Sequence, residues 1–315
     1  MGNRFSIRLA TLMAAVVVAA TLAVLSAQAQ KFSDWSAPVN LGPIINSGVN
    51  NQHPGISKNG LSLYFSSDRP GTFGKLDIWV SQRPTLDAPW GTPQNLGPNI
   101  NTGSTEFSPA FTPDGHWMYF HSDRPGGCGG LDLYVSHRKD KSDDFGWEPA
   151  QNLGCVINSI FNDAGPTFFE DDGLDVTLLY FTSTKPAPPG GGDFDIYVST
   201  LQPDGTWGPG VFVPELSSPF RDTRTAIRRD GLEMFLSSGR PLGSVGSEDL
   251  WVSTRASTAD PWPPPVNLGF IVNSTAFDGA PALSRDATTL YFFSERPGGF
   301  GKRDLYVATR TKLPD

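Results

Sequence analysis

The chain has 315 residues, among them 34 glycines and 28 prolines, so about a fifth of its positions make turns, against about 12% in an average protein. That excludes a helical protein, and 38% hydrophobic with 11% aromatic content excludes a disordered one. The net charge of −8 argues against nucleic acid or an anionic membrane as the main partner.

At the N-terminus, Arg4 and Arg8 precede an apolar stretch over 9–25, and Ala27-Gln28-Ala29 supplies the small-x-small pattern of a cleavage site. Residues 1–29 are therefore predicted to be a Sec signal peptide, with an uncleaved anchor as the competing reading. Residues 30–315 are expected to form one domain, periplasmic or secreted, with no membrane span after cleavage. In such a compartment Cys128 and Cys155, the only cysteines, can stay disulfide-bonded.

The rest of the chain repeats. Trp35, Trp90, Trp147, Trp207 and Trp262 open similar segments at spacings of 55, 57, 60 and 55 residues, and four of the five continue into Asn-Leu-Gly. Each repeat then offers three strand-like runs. The first starts at Pro54, Pro109, Pro166, Thr225 or Pro281 and ends in a hairpin signal such as Asn59-Gly60 or Asp114-Gly115. The second reads Leu63-Tyr64-Phe65 and its equivalents, three apolar residues in a row, as expected of strands covered on both faces. The third reads Asp77-Ile78-Trp79-Val80 and its equivalents.

Four short strands per repeat, five times over, predict an all-β, single five-bladed β-propeller with four antiparallel strands per blade. Because the chain ends after a third strand, the segment from Trp35 to Leu41 is expected to close the last blade as its outer strand, pairing with Asp304 to Thr309.

At Phe65 to Gly71, Phe120 to Gly127 and Phe292 to Gly299 the sequence resembles the TolB-type, WD-like β-propeller repeat family. Blades of that family carry Leu-Tyr-Phe-Ser-Ser-Asp-Arg-Pro-Gly-Gly and Asp-Ile-Tyr-Val-Ser. The resemblance spans nearly all of the chain after residue 29 and implies a bacterial envelope propeller. It speaks for the fold more than for an activity, since function sits in loops grafted on the scaffold.

Three residues before each inner-strand Pro or Thr stand Asn51, Glu106, Asp163, Asp222 and Asp278, and five residues earlier Asn46, Asn101, Asn158, Ser217 and Asn273. If inner strands ring the axis, these groups encircle the channel mouth and form an acidic ligand site. The favoured reading is instead a structural clamp, because Arg69, Arg124, Lys185, Arg240 and Arg296 supply one base per blade at a fixed position and catalysis seldom needs five copies of a group. His53, Phe107, Phe161, Arg221, Arg224 and Phe277 differ between blades in the same loops and would read an asymmetric ligand. Cys128 and Cys155 replace Phe73/Phe300 and Pro43/Pro98/Phe270 in two columns that adjoin between consecutive blades, which predicts a disulfide stapling blade two to blade three.

No nucleophile motif, metal-ligand spacing or phosphate loop is present, so neither a cofactor nor a metal is expected. The favoured expectation is a monomeric, non-catalytic binding module for a glycan, peptide or envelope protein rather than an enzyme. The alternatives are a carbohydrate-active enzyme, glycoside hydrolase or lyase, using two of the mouth carboxylates, and a multivalent lectin.

Overall fold

The computed structural model of the protein describes residues 31–188 and 191–314; the predicted signal segment lies outside them. After β1 (Val39–Asn40), strands come in groups of four. Blade one is β2 (Asn51–Ile56), β3 (Ser62–Ser67), β4 (Asp77–Gln82) and β5 (Gln94–Asn95). Blade two is β6 (Glu106–Phe111), β7 (Trp117–Ser122), β8 (Asp132–His137) and β9 (Gln151–Asn152). Blade three is β10 (Asp163–Asp171), β11 (Val176–Ser183), β12 (Asp195–Thr200) and β13 (Val211–Phe212). Blade four is β14 (Asp222–Ile227), β15 (Glu233–Ser238), β16 (Asp249–Thr254) and β17 (Val266–Asn267). Blade five has β18 (Asp278–Leu283), β19 (Thr289–Ser294) and β20 (Asp304–Thr309), and β1 completes it as the outer strand. This is a five-bladed, all-antiparallel propeller, closed where Val39 lies opposite Val307 and Asn40 opposite Tyr306.

The closing strand is shorter than the predicted segment from Trp35 to Leu41, and the sequence explains why. Pro38 has no N–H to give the ladder, and the Asn40 side chain accepts the Gly42 N–H to turn the chain away. The middle strands alternate between neighbours: Leu63 and Phe65 pack on Ala280, Tyr291 and Phe293 of blade five, whereas Tyr64 packs on Met118, Phe120 and Tyr134 of blade two. Consecutive apolar residues are thus both inside, one at each blade interface.

Every inner strand also carries a bulge. Its register slips after Gln52, Phe107, Ala164, Thr223 and Gly279. The residue that follows, His53, Ser108, Gly165, Arg224 or Ala280, has a positive φ between 40° and 61°. Four of the five are not glycine, so each holds a conformation that costs on the order of 1 kcal/mol or more. All five bulge residues line one axial cavity.

Candidate functional site

The predicted ring residues face into the wall. Asn51, Glu106, Asp163, Asp222 and Asp278 are all wholly buried. Their backbone N–H groups donate to carbonyls of the preceding blade, those of Arg303, Leu76, Leu131, Phe194 and Glu248. Their side chains meet the bases: Arg69 on Asn51 at 2.6 Å, Arg124 on Glu106 at 3.1 Å, Arg240 on Asp222 at 2.6 Å and Arg296 on Asp278 at 2.7 Å. Lys185 stands 3.9 Å from Asp163, whose Oδ1 has no hydrogen-bond donor.

The same guanidinium nitrogens donate to Ile45, Ile100, Leu216 and Val272 carbonyls in the crossover segments that enter each blade. Asn46, Asn101, Asn158 and Asn273 hold those segments from the other side, each bracketing the backbone of the preceding third strand. In geometry these groups tie crossovers to blades and leave no oxygen open to a ligand at the mouth. Asp77, Asp132, Asp195, Asp249 and Asp304 accept loop N–H groups from Phe73, Cys128, Gly192, Val245 and Phe300.

Cys128 and Cys155 are disulfide-bonded, with Cα atoms 5.6 Å apart. Cys155 comes just after β9, past Leu153 and Gly154, so the bond joins the β7–β8 loop of blade two to the start of the crossover into blade three.

The residues that do converge are the ones that differ between blades. A cavity of about 230 Å³ on the axis is lined by His53, Phe107, His121, Phe194, Arg221, Arg224, Phe277, Phe293 and Arg303, besides Gln52, Leu131 and smaller residues. Phe161 stays outside it, on the surface. Arg224 crosses the axis from blade four: Nη1 donates to the Ser108 carbonyl at 2.8 Å, and Nη2 to Pro109 at 3.1 Å and Pro54 at 3.3 Å. It also lines the next cavity along the axis, so it divides the channel in two. Burial without a carboxylate lowers its pKa to about 9.

Both axial histidines are neutral, His121 buried and His53 half-buried in the cavity wall. Burial, then the Arg224 charge, holds His53 well below its ordinary value and brings His121 down to about 3. The His121 Nδ1 accepts the Gly165 N–H, which leaves its proton on Nε2. Ser108 Oγ lies 2.7 Å from His53 Nδ1. That serine is fully buried, so the pair fixes a ring orientation and presents no nucleophile.

Two further carboxylates, Glu248 at a position no other blade fills with an acid and Glu295 at the position of Asp68 and Asp123, stand behind the lining arginines. Glu248 lies 3.5 Å from Arg221, and Glu295 accepts from Arg303 at 2.8 Å. Burial raises the Glu248 pKa against the pull of Arg221 and Arg303, and its Oε2 has no donor. Arg303 also donates to Gln52 and stacks over Phe277 and Phe293, while Arg221 lies over Phe194. Both acids were missed from sequence, although a signal existed for Glu248: the column Leu76, Leu131, Phe194, Glu248, Arg303 turns charged only in the last two blades. Among the described residues no cluster of His, Cys, Asp and Glu could hold a metal ion.

No protein-family model and no curated protein matches the chain. Solved structures do match. An alpha-L-arabinofuranosidase from Lactobacillus brevis superposes with a TM-score of 0.58 at 16% identity, covering 87% of this chain and 93% of its own. The alpha-L-arabinofuranosidase from Podospora anserina in complex with cellotriose gives 0.55 at 13%, covering 88% and 97%. The GH43_1 enzyme from Xanthomonas citri complexed with xylotriose gives 0.55 at 16%, covering 87% and 90%.

At such identities the likeness establishes a shared architecture. It overturns the TolB-type kinship drawn from the repeat motifs, since short turn and strand signatures reflect what any blade must satisfy. It likewise overturns the preference for a non-catalytic module, since the matched propellers are named as arabinofuranosidases and the architecture is one that enzymes use.

Proposed function

We propose that the protein is a carbohydrate-active enzyme that cleaves glycosidic bonds at the mouth of the axial cavity, with Glu248 as the proton donor and Glu295 as its partner carboxylate. The observation that carries this is the pair itself. Glu248 breaks the repeat and is largely withdrawn from solvent, its Oε2 lacking a donor, whereas Glu295 keeps the acid that Asp68 and Asp123 supply in blades one and two and is held in a close ion pair, and unlike environments are what assign unlike roles to two carboxylates. Arg221 and Arg303 fix the acids at the rim, while Phe107, Phe194 and Phe277 offer apolar faces to a sugar ring. Export directed by residues 1–29 is part of the proposal, as polymeric glycans are met outside the cytoplasm.

The test is hydrolysis of a panel of aryl glycosides and plant and bacterial polysaccharides. Glu248→Gln should lower kcat by about 10²–10⁴, the usual contribution of a positioned acid, with product binding retained. Glu106→Gln should instead act through stability. Absence of turnover on every glycan, or full activity in Glu248→Gln, would overturn the assignment.

A further inference from the structure

The face opposite that cavity, built by the hairpin turns, carries a charge pattern the scaffold does not require. Register places Lys58, Pro113, Glu170, Arg229 and Arg285 at one position in the five blades, two residues past the pairs Ile56–Leu63, Phe111–Met118, Phe168–Leu179, Ile227–Met234 and Leu283–Leu290. A proline and a glutamate serve as well as a base there, so the three cations have no fold-building duty. They fall on consecutive blades, four, five and one. Together with Lys312 they line a groove of about 720 Å³ whose only acid is Asp286.

That acid is engaged locally with Ser284 and Thr288. Nearby Arg228 is paired with Asp230 and Glu233, yet Lys58, Arg229, Arg285 and Lys312 form no ion pair among the described residues. Arg83 also lines the groove, but it caps the Gly60 carbonyl and covers Trp90, as Arg138, Arg255 and Arg310 do for their blades. Partial burial and the Arg229 charge lower the Arg285 pKa, as expected of two guanidinium groups standing close together. Across the face the charge inverts: burial, with Asp114 and Asp172, raises Glu170 against the pull of Arg229.

We propose that this groove binds the backbone of an acidic polysaccharide, one bearing carboxylate or sulfate groups along its length. Unpaired cations in a chain of net charge −8 call for an anionic partner. Between them Asn59, Thr288, Thr289 and Thr309 supply neutral donors and acceptors suited to sugar hydroxyls. The acidic blades two and three repel a polyanion and so direct it outward from the axis between blades five and one. A membrane would want more apolar surface than Leu86 alone, and nucleic-acid bases would want an open ring, whereas Trp90 is only 9% exposed beneath Arg83.

The experiment is titration of the full chain with polygalacturonate at low and near-physiological salt, beside neutral arabinoxylan, phosphatidylglycerol vesicles and single-stranded DNA. Polygalacturonate should bind, weaken as salt shortens the Debye length to about 8 Å, and outcompete the other three. The double variant Arg229→Ser, Arg285→Ser should bind at least about tenfold more weakly at an unchanged melting temperature. Glu170→Lys, which supplies a base to blade three, should bind more tightly. Tighter binding of DNA or vesicles, indifference to these substitutions, or no binding of polygalacturonate would each overturn the proposal. Glu248→Gln should leave this binding intact, so failure here is distinct from failure of the catalytic assignment.

Discussion

His121 shows how a single side chain on the axis sets a condition on the whole fold. Its folded pKa is about 3, whereas an unfolded imidazole titrates near 6.5. Between those values the unfolded chain holds more protons than the folded one, so stability is complete above about pH 6.5 and falls as the pH drops toward 3. The slope should approach about 1.4 kcal/mol per pH unit, with a contribution of the same sign from His53. Urea midpoints measured from neutral to mildly acidic pH should fall steeply, and His121→Gln, which can still accept the Gly165 N–H, should flatten the curve. Equal slopes in both proteins would refute the assignment. At this scale the sequence was partly legible. His53, Arg221 and Arg224 stand out as breaks in a repeat, and all three reach the cavity. The ring carboxylates admitted both the clamp and the ligand ring because a short acidic side chain beside an inner strand reads alike whether it turns to the channel or into the wall. Only the three-dimensional path of Arg69 and its equivalents decides between them.

Among the elements, the crossover segments are the tightest points. Gly74, Gly129, Gly192, Gly246 and Gly301 each lie where the loop between the second and third strands meets the next crossover, and a Cβ on any of them would come within 2.1 Å of a backbone carbonyl oxygen. Backbone cannot yield as a flexible side chain does. Gly246→Ala, which would meet the Ala276 carbonyl, should therefore destabilise by about 1–3 kcal/mol, seen as a lower urea midpoint at unchanged slope. Gly103→Ala has open space around it and should be neutral or slightly stabilising. A neutral Gly246→Ala would show that the crossovers can part from the blades. The strands themselves were plain in the sequence, because Leu-Tyr-Phe runs and Asn-Gly or Asp-Gly turns impose pleat and hairpin locally. The bulge was not, for residues as unlike as His53, Ser108, Arg224 and Ala280 adopt it. Its cause lies in closing five strands around an axis, not in any residue preference.

For the molecule as a whole, closure by β1 converts five similar sheets into one cooperative unit. The segment before β2 does more than cover the edge of β20. Arg310 donates to the Ala287 carbonyl and to Glu233, and its guanidinium is sandwiched against Phe32 at 3.7 Å and Trp35 at 4.5 Å. Asn46 brackets Leu305 of the last blade from the first crossover. A chain starting at residue 43 would keep the Asn46 bracket but lose the outer strand and both rings over Arg310. It would leave a buried Arg310–Glu233 pair newly open to water and an unpaired strand edge available to other chains. Blades one and five also pack directly, Leu63 and Phe65 on Tyr291 and Phe293, but the segment before β2 is what ties them along the chain, so loosening it relaxes the ring constraint on every blade. The truncated protein should therefore melt at least about 10 °C lower, as loss of a few kcal/mol implies for a domain in which 1 kcal/mol moves the midpoint by about 2–4 °C. It should also lose the coincidence of tryptophan fluorescence and far-ultraviolet circular dichroism transitions that marks two-state unfolding, and form higher oligomers on sizing columns. A truncated chain that stays monomeric and melts cooperatively at the parent temperature would mean that side-by-side packing of the blades, not the seam, holds the disc.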